Sequence, residues 1–339
     1  LQHVSNLYQI DEQELLSKWL TDHSCAESVF FCNSGAEANE SAIKLLKKYG
    51  NLIDKEKDSI ILTAKSSFHG RTFAALSATG QPKYHEGFKP LLSGFNFFEY
   101  NNIDSVKTLF EKFKSSNQFI SGVLIEPIQG EGGVIEGNKF FFKQLRELCT
   151  EHNALLIFDE VQSGVGRTGR LWGYQNLDIE PDAFTLAKGL GGGHPIGALL
   201  VNRKANIFNP GDHASTFGGN PFACKAALTV LEEIQNRNLL KNVYLRGKQL
   251  EEGLELISQK FPELVTEKRG IGLLQGLVIK KEYKDARAIA MKALEMGLLI
   301  VPAGGNVIRL VPPLIISSNE IKELIKRLNL IFEAIVKTN

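Results

Sequence analysis

Short, almost purely apolar runs punctuate the first two-thirds of the chain: Val29–Cys32, Ser59–Leu62, Gly122–Ile125, Ala154–Phe158, Ala183–Leu186 and Ala198–Val201. Runs of this length, without the polar alternation of a half-exposed strand, predict strands buried on both faces. Between several of them apolar residues return at helical spacing, over Glu37–Tyr49, Ile103–Ser115 and Lys139–Glu151, and a further helix is under way by Asp11. Strand–helix alternation builds a mostly parallel sheet flanked by helices, and such a sheet takes its ligand outside the carboxyl ends of its strands. The pattern changes after Pro221, where one helix runs toward Gln235 and a second spans Leu239–Lys260. Beyond Pro262, short strands at Leu273–Ile279 and Val307–Leu310 stand among helices at Asp285–Met296 and Ser318–Val336. The expected organisation is α/β, with a large domain over residues 1–235 and a smaller C-terminal α+β domain over 236–339.

Composition narrows the class without naming it. The 339 residues are 43% apolar, enough for a sizeable core, and the net charge of +1 comes with no block of like charges. A nucleic-acid surface is therefore disfavoured. No run is long enough to span a bilayer, and no signal-peptide pattern opens the chain. Cys25, Cys32, Cys149 and Cys224 are far apart and form no C-x-x-C pair, which reads as reduced thiols in a cytoplasmic protein. The opening "LQHVSNLYQI" has no initiator Met, so the chain reads as a fragment or a trimmed form.

The segment "LLIFDEVQSGVGRTG" holds two signatures at once. Gly164-Val-Gly-Arg-Thr-Gly169 matches the G-x-G-x-x-G of dinucleotide loops. That fingerprint needs its first glycine directly at a strand end, a helix to receive the pyrophosphate, and an acid roughly 20 residues on. Here Asp159 and Glu160 occupy the strand end and would repel a pyrophosphate, and "LWGYQN" is no helix opening. The glycines read as loop geometry, and the acids are the better lead.

Four elements then converge. Asn33-Ser34-Gly35-Ala36 turns from a strand into a helix, and its exposed N–H groups with the helix dipole suit a phosphate; an ordinary Ser34 N-cap is the plain alternative. Lys188 follows the apolar run ending at Ala187 and precedes a glycine-rich stretch, where it is either desolvated and so suited to Schiff-base chemistry or a surface lysine on a flexible loop. Asp159, at the end of a buried strand, needs a cation or strong donors. A protonated ring nitrogen meets that need, and so does an ion pair with Arg167. In "SSFHGRT", Phe68 offers a face to a flat ring and Arg71 a fork to a carboxylate.

Taken with "NSGAEANE", "SFHGRT", "EPIQGEGG", "FDEVQSGVGRTG", "LAKGLGGG", "STFGGNP" and "RLVPPL", the chain resembles the class III, ornithine-type aminotransferases of pyridoxal-phosphate fold type I, from about residue 28 to 313. The resemblance implies the fold-type I architecture and pyridoxal 5'-phosphate as cofactor. It implies that Lys188 bonds covalently to the cofactor and acts as base then acid, that Asp159 pairs with the ring nitrogen, and that Gln162 touches the ring oxygen. Gly35 and Ala36 would hold the phosphate, Phe68 would stack on the ring, and Glu160, Val161 and Glu126 would belong to the same neighbourhood. Thr216 would reach the phosphate of a neighbouring subunit, making a homodimer with shared sites. Arg71 and Ser215 would contact substrate. Arg309 would bind the α-carboxylate of the keto acid, and Glu131 would pair with Arg309 until that substrate arrives.

"EPIQGEGG" together with "STFGGNP" points within the family to N2-acetyl-L-ornithine and 2-oxoglutarate as substrates, with ornithine, 4-aminobutyrate or N-succinyl-diaminopimelate as alternative donors. Family members carry several dozen residues ahead of the point where this chain starts, so an N-terminal segment is expected to be missing. His69, His194 and His213 lie near these loops but lack metal spacing, and no metal is expected.

Overall fold

The computed structural model describes residues 1–114 and 116–338. In chain order its elements are α1 (Asp11–Asp22), β1 (Ser28–Cys32), α2 (Gly35–Ile53), β2 (Asp58–Ala64), α3 (Phe73–Ala78), β3 (Phe95–Phe98), α4 (Ile103–Lys114) and β4 (Gln118–Ile125). Then follow β5 (Ile128–Gln129), β6 (Ile135–Glu136), α5 (Lys139–Glu151), β7 (Leu155–Asp159), β8 (Ala183–Leu186), β9 (Gly197–Val201), α6 (Pro221–Asn236) and α7 (Leu239–Lys260). The chain ends with β10 (Val265–Ile271), β11 (Leu274–Ile279), α8 (Ala286–Glu295), β12 (Val301–Ala303), β13 (Val307–Leu310) and α9 (Ser318–Thr338). All six apolar runs are strands. The end expected for α4 at Ser115 lies outside the described residues.

Two compact units emerge. The first comprises Leu1–Pro127, Gly137–Val165 and Trp172–Glu233. Its seven-stranded sheet has the order β1-β9-β8-β7-β4-β2-β3. Strands β3, β2, β4, β7 and β8 pair in parallel, while β9 runs against both β8 and β1. Helix α2 lies on this sheet through Ala42, Leu45, Leu46 and Tyr49, which share a core with Ile61, Leu124, Leu155 and Leu199. Gly50 and Gly122 permit the close approach: a Cβ on Gly50 would stand 2.4 Å from the Ser59 Cβ, and one on Gly122 2.4 Å from Leu46. The carboxyl ends of β1, β2, β4, β7 and β8 all point to one edge. There the chain carries Asn33–Ala36, Phe68–Arg71, Glu126, Asp159 and Lys188.

The second unit comprises Ile128–Glu136, Gly166–Leu171 and Ile234–Asn339. Its antiparallel sheet, β10-β11-β13-β12, is packed with α7, α8 and α9 around Leu250, Leu254, Leu277, Ile289, Ile308 and Phe332. The division near residue 235 is thus joined by two earlier segments. Hairpin β5–β6 belongs here because Ile128 and Val134 share a core with Leu274 and Val307. The Gly166–Leu171 turn belongs here because the Arg167 guanidinium, sunk in this unit, donates to the carbonyls of Leu273 and Pro312. Burial pulls the Arg167 pKa down to about 10.

Candidate active site

Asp159 ends β7 and is 4% exposed. Its Oδ2 accepts from Asn39 Nδ2 at 2.7 Å and faces His69 Nδ1 at 2.8 Å, and its Oδ1 accepts the Val161 N–H at 3.0 Å. The ion pair with Arg167 weighed above is replaced by this set. Asn39 is itself locked: its amide also donates to the His69 carbonyl at 2.7 Å, and its Oδ1 accepts the Thr185 hydroxyl at 2.8 Å. The sheet register makes this possible, since Asp159 on β7 lies directly beside Thr185 on β8. Asn39 and Thr185 escaped the sequence reading, and His69 was weighed there only as a metal ligand. Their signal was a polar residue inside an apolar pattern, as with Thr185 within "AFTL".

Glu160 behaves differently from its neighbour. Glu160 lies just past the end of β7 and accepts from the N–H groups of Gly173 and Tyr174, both oxygens being used by that turn. It is 1% exposed, and burial raises its pKa to about 7, with the adjacent Asp159 adding to the rise. Glu160 therefore braces the Gly173–Asn176 turn.

The turn after β1 is built as an anion cradle. Ser34 caps α2, its Oγ accepting the Glu37 N–H at 3.2 Å, while the Glu37 carboxylate returns to the Asn33 N–H at 2.7 Å. The helical ladder begins with Ala38 N–H to Ser34 O at 3.0 Å, so the N–H groups of Gly35 and Ala36 precede it, where a helix has donors to offer. The plain N-cap and the anion site thus coexist. A Cβ on Gly35 would fill the cradle, standing 2.7 Å from Val161 Cγ1 and 3.4 Å from the Ala187 Cβ. Through that one glycine the structure brings together the cradle, the residue two past Asp159 and the residue before Lys188. Gly70 (φ +143°) closes in from the other loop, where a Cβ would meet that of Ala36 at 3.0 Å.

Lys188 opens a 3-10 turn, Lys188–Gly191, with φ +42°, a left-handed conformation that costs a non-glycine residue of order 1 kcal/mol or more. It is exposed, as the surface-lysine alternative has it. The run Ala183–Ala187 is buried, but the chain swings out of the sheet at residue 188. Gln162 and Phe68 are half-buried. Glu126 fixes the Phe68 backbone, its Oε2 accepting the Phe68 N–H at 3.2 Å. The ring of Phe68 meets Tyr84 edge-on at 5.6 Å, with the Arg71 guanidinium over Tyr84 at 4.1 Å.

Ser215 is tied to the cradle through Asn33, whose Nδ2 donates to Ser215 Oγ at 3.0 Å. Beside Ser215 and the exposed Thr216 opens a cavity of about 600 Å³, reached by Phe30, Phe31, Asn6 and His213 but not lined by Lys188 or Asp159. In the second unit, Arg309 on β13 is 7% exposed and its Nη2 lies 2.8 Å from Glu131 Oε1. His213 bridges Ser41 and Lys44, and His194 stacks edge-on against Phe222. No group of three or more His, Cys, Asp or Glu among the described residues is arranged to hold a metal. The four thiols are free, and burial pushes Cys25 up to about 11 and Cys32, Cys149 and Cys224 to about 12, so none is a ready nucleophile. The glycines of Gly164–Gly169 shape turns, Gly166 and Gly169 at φ +81° and +88°, and no α-helix follows them.

The residues present fit pyridoxal phosphate. A hydrogen-bonded buried carboxylate, an N–H cradle that a side chain would block, an aromatic face and a primary amine gather at one sheet edge, all within the first unit. No helix among the described residues is long and apolar enough to cross a membrane.

Comparison with known proteins agrees with this arrangement. The family model described as aminotransferase class-III matches residues 1–332. An acetylornithine aminotransferase of Prochlorococcus marinus subsp. pastoris is 70% identical over 333 residues, covering 98% of this chain and 80% of its own length. Its counterpart in Synechocystis sp. is 52% identical over 328 residues, covering 96% and 76%. Among solved structures, the ornithine aminotransferase of Toxoplasma gondii superposes with a TM-score of 0.92 at 31% identity, covering 100% and 80%. The N-acetylornithine aminotransferase of Stenotrophomonas maltophilia does so with 0.84 at 36%, covering 99% and 83%. By sequence, fold and site, the chain belongs to the class III aminotransferases.

Proposed function

We propose that this aminotransferase moves the δ-amino group of N2-acetyl-L-ornithine to 2-oxoglutarate. The products are N-acetyl-L-glutamate 5-semialdehyde and L-glutamate, a step of arginine biosynthesis. The enzyme works as a cytoplasmic homodimer carrying pyridoxal phosphate. The observation that carries the reading is Asp159, an anion buried at a strand end and held in one orientation by Asn39, His69 and the Val161 N–H. The 70% identity to an acetylornithine aminotransferase supports the choice of donor.

Pyridoxal phosphate, when bound, supplies an aldehyde that takes up the amino group and a protonated ring that accepts the electron pair of a broken C–H bond. Asp159 would offer a fixed negative charge to the ring nitrogen and so favour its protonated form, and Gln162 would hold the ring oxygen. Gly35 and Ala36 N–H groups would hold the phosphate, joined by Thr216 of a second copy, and Phe68 would stack on the ring. Lys188 Nζ is the covalent anchor, then the base that removes the proton from the substrate carbon bearing the amine, and finally the acid that returns it. An exposed turn gives that amine room to move between these tasks. Arg71 and Ser215 hold the donor. Arg309 receives the keto-acid carboxylate, and Glu131 neutralises Arg309 when a donor without a carboxylate beside its reacting carbon is present.

The test is to load the protein with pyridoxal phosphate, reduce with borohydride and map the labelled peptide. Label on Lys188 is expected, and label elsewhere overturns the assignment. A donor panel then ranks N2-acetyl-L-ornithine against ornithine, 4-aminobutyrate and N-succinyl-diaminopimelate by kcat/KM; a higher value for any other donor overturns the substrate.

A further inference from the structure

We infer that Tyr84 is a positioning residue for substrate binding: its ring sets the plane of the Arg71 guanidinium and so aims that fork at a substrate carboxylate. The inference rests on the reading of Arg71 as a substrate contact. Arg71 is exposed, and its guanidinium makes no hydrogen bond or ion pair among the described residues. What orients it is aromatic: its Cζ stands 4.1 Å from the Tyr84 ring centroid and 5.4 Å from that of Phe68. A planar cation stacked on a ring keeps its N–H edges free while losing the freedom to tumble, so less entropy remains to be lost when a carboxylate docks. A hydrogen-bonded tether would have consumed donors that the substrate needs.

The platform itself is rigid. Tyr84 closes a 3-10 turn, Pro82–Tyr84, its N–H donating to the Gln81 carbonyl at 3.0 Å. Gln81, which precedes that turn, is pinned to the chain leading into Phe68, its Nε2 donating to the carbonyls of Ser66 at 3.3 Å and Ser67 at 3.0 Å. His85, which follows, sets its Nε2 within 3.1 Å of the Leu76 carbonyl and 2.8 Å of that of Thr79. The same Tyr84 ring meets Phe68 edge-on at 5.6 Å, so one residue references the ring-stacking face and the carboxylate fork to each other. Lys83 Nζ, 4.7 Å from the ring, is a second cation on the same π-system but carries no part of the aim.

The experiment uses the cofactor-loaded enzyme with Tyr84→Phe, Tyr84→Leu and Arg71→Ala. It reads kcat and KM for N2-acetyl-L-ornithine, and the Nε–H resonance of Arg71 in 15N-arginine-labelled protein. Tyr84→Phe keeps the ring and is expected to leave KM within about twofold and the resonance at its ring-shifted position. Tyr84→Leu is expected to raise KM about five- to thirtyfold with kcat little changed, and to move the resonance toward that of an unstacked arginine. An unmoved resonance in Tyr84→Leu overturns the inference. So does an unchanged KM in Tyr84→Leu when Arg71→Ala raises it. An Arg71→Ala enzyme with unchanged KM removes the underlying assignment of Arg71 instead, and the inference falls with it.

Discussion

Asp159 Oδ2 and His69 Nδ1 lie 2.8 Å apart, with both side chains closed off from solvent. The pair is the centre of a network drawn from four segments, since Asp159 comes from β7, Asn39 from α2, His69 from the loop after β2 and Thr185 from β8. A single carboxylate therefore does two things. On the proposed function it provides the charge for the chemistry, and it satisfies donors that would otherwise be stranded in the core.

Replacing Asp159 by Ala should show both. The Asn39 amide, His69 Nδ1 and the Val161 N–H each lose their acceptor, and a buried donor left unmade costs about 1–3 kcal/mol. Urea unfolding of cofactor-free protein should report a loss of a few kcal/mol, and the loaded variant should lose activity by about a hundredfold or more. A variant as stable as the parent would mean that the network is not formed as described.

The cradle is tested at Gly35. An Ala there would press its methyl against Val161 at 2.7 Å and sit 3.4 Å from the Ala187 Cβ, and relieving that overlap costs about 1–3 kcal/mol of packing. The expected result for Gly35→Ala is weaker retention of both pyridoxal phosphate and inorganic phosphate, measured by equilibrium dialysis. Undiminished phosphate binding would place the anion somewhere else.

What the sequence made legible follows from locality. Strands at Ile60, Val123, Leu156, Phe184 and Leu199 announce themselves because each is buried on both faces, and the half-buried edge strand at Val29 does so by its apolar run alone. Strand β10, "VTEKRGI", does not, because an edge strand facing solvent carries charges and mimics a loop. The anchors Lys188, Asp159 and Gly35 stand at strand ends where a chain-local reading can find them. Lys188 was legible only as two alternatives, buried or exposed, because the choice depends on where the chain leaves the sheet. Asn39 was hidden because it sits mid-helix, 120 positions from the carboxylate it holds. The separation of Asp159 from Glu160 was not readable, because Glu160 lies just past the end of β7 and its partners, the Gly173 and Tyr174 N–H groups, come from a later turn.

Glu131 offers a test of substrate exchange. Its carboxylate meets the buried Arg309 at 2.8 Å, with the Glu131 side chain 27% exposed. Removing it leaves a sunken guanidinium without this counter-charge, a loss that partial exposure reduces to about 1–3 kcal/mol. In Glu131→Ala, Arg309 is permanently available to a carboxylate. The ratio of kcat/KM for N2-acetyl-L-ornithine over an α-amine donor should therefore fall. A ratio equal to that of the parent enzyme would reject the exchange.

Glu160 makes stability depend on pH in an uncommon direction. Burial, with Asp159 beside it, raises its folded pKa from 4.5 to about 7. A carboxyl with a raised folded pKa binds its proton more tightly in the folded state. Its unfavourable contribution is therefore absent below about pH 4.5, grows as pH rises and is complete above about 7. Glu160→Gln cannot titrate, and although its amide serves the Gly173 and Tyr174 N–H groups less well, that defect is the same at every pH. Unfolding free energies at pH 5 and pH 8 should show the parent losing stability relative to Glu160→Gln by a few kcal/mol between the two. Parallel pH curves for the two proteins would show that Glu160 does not titrate in this range.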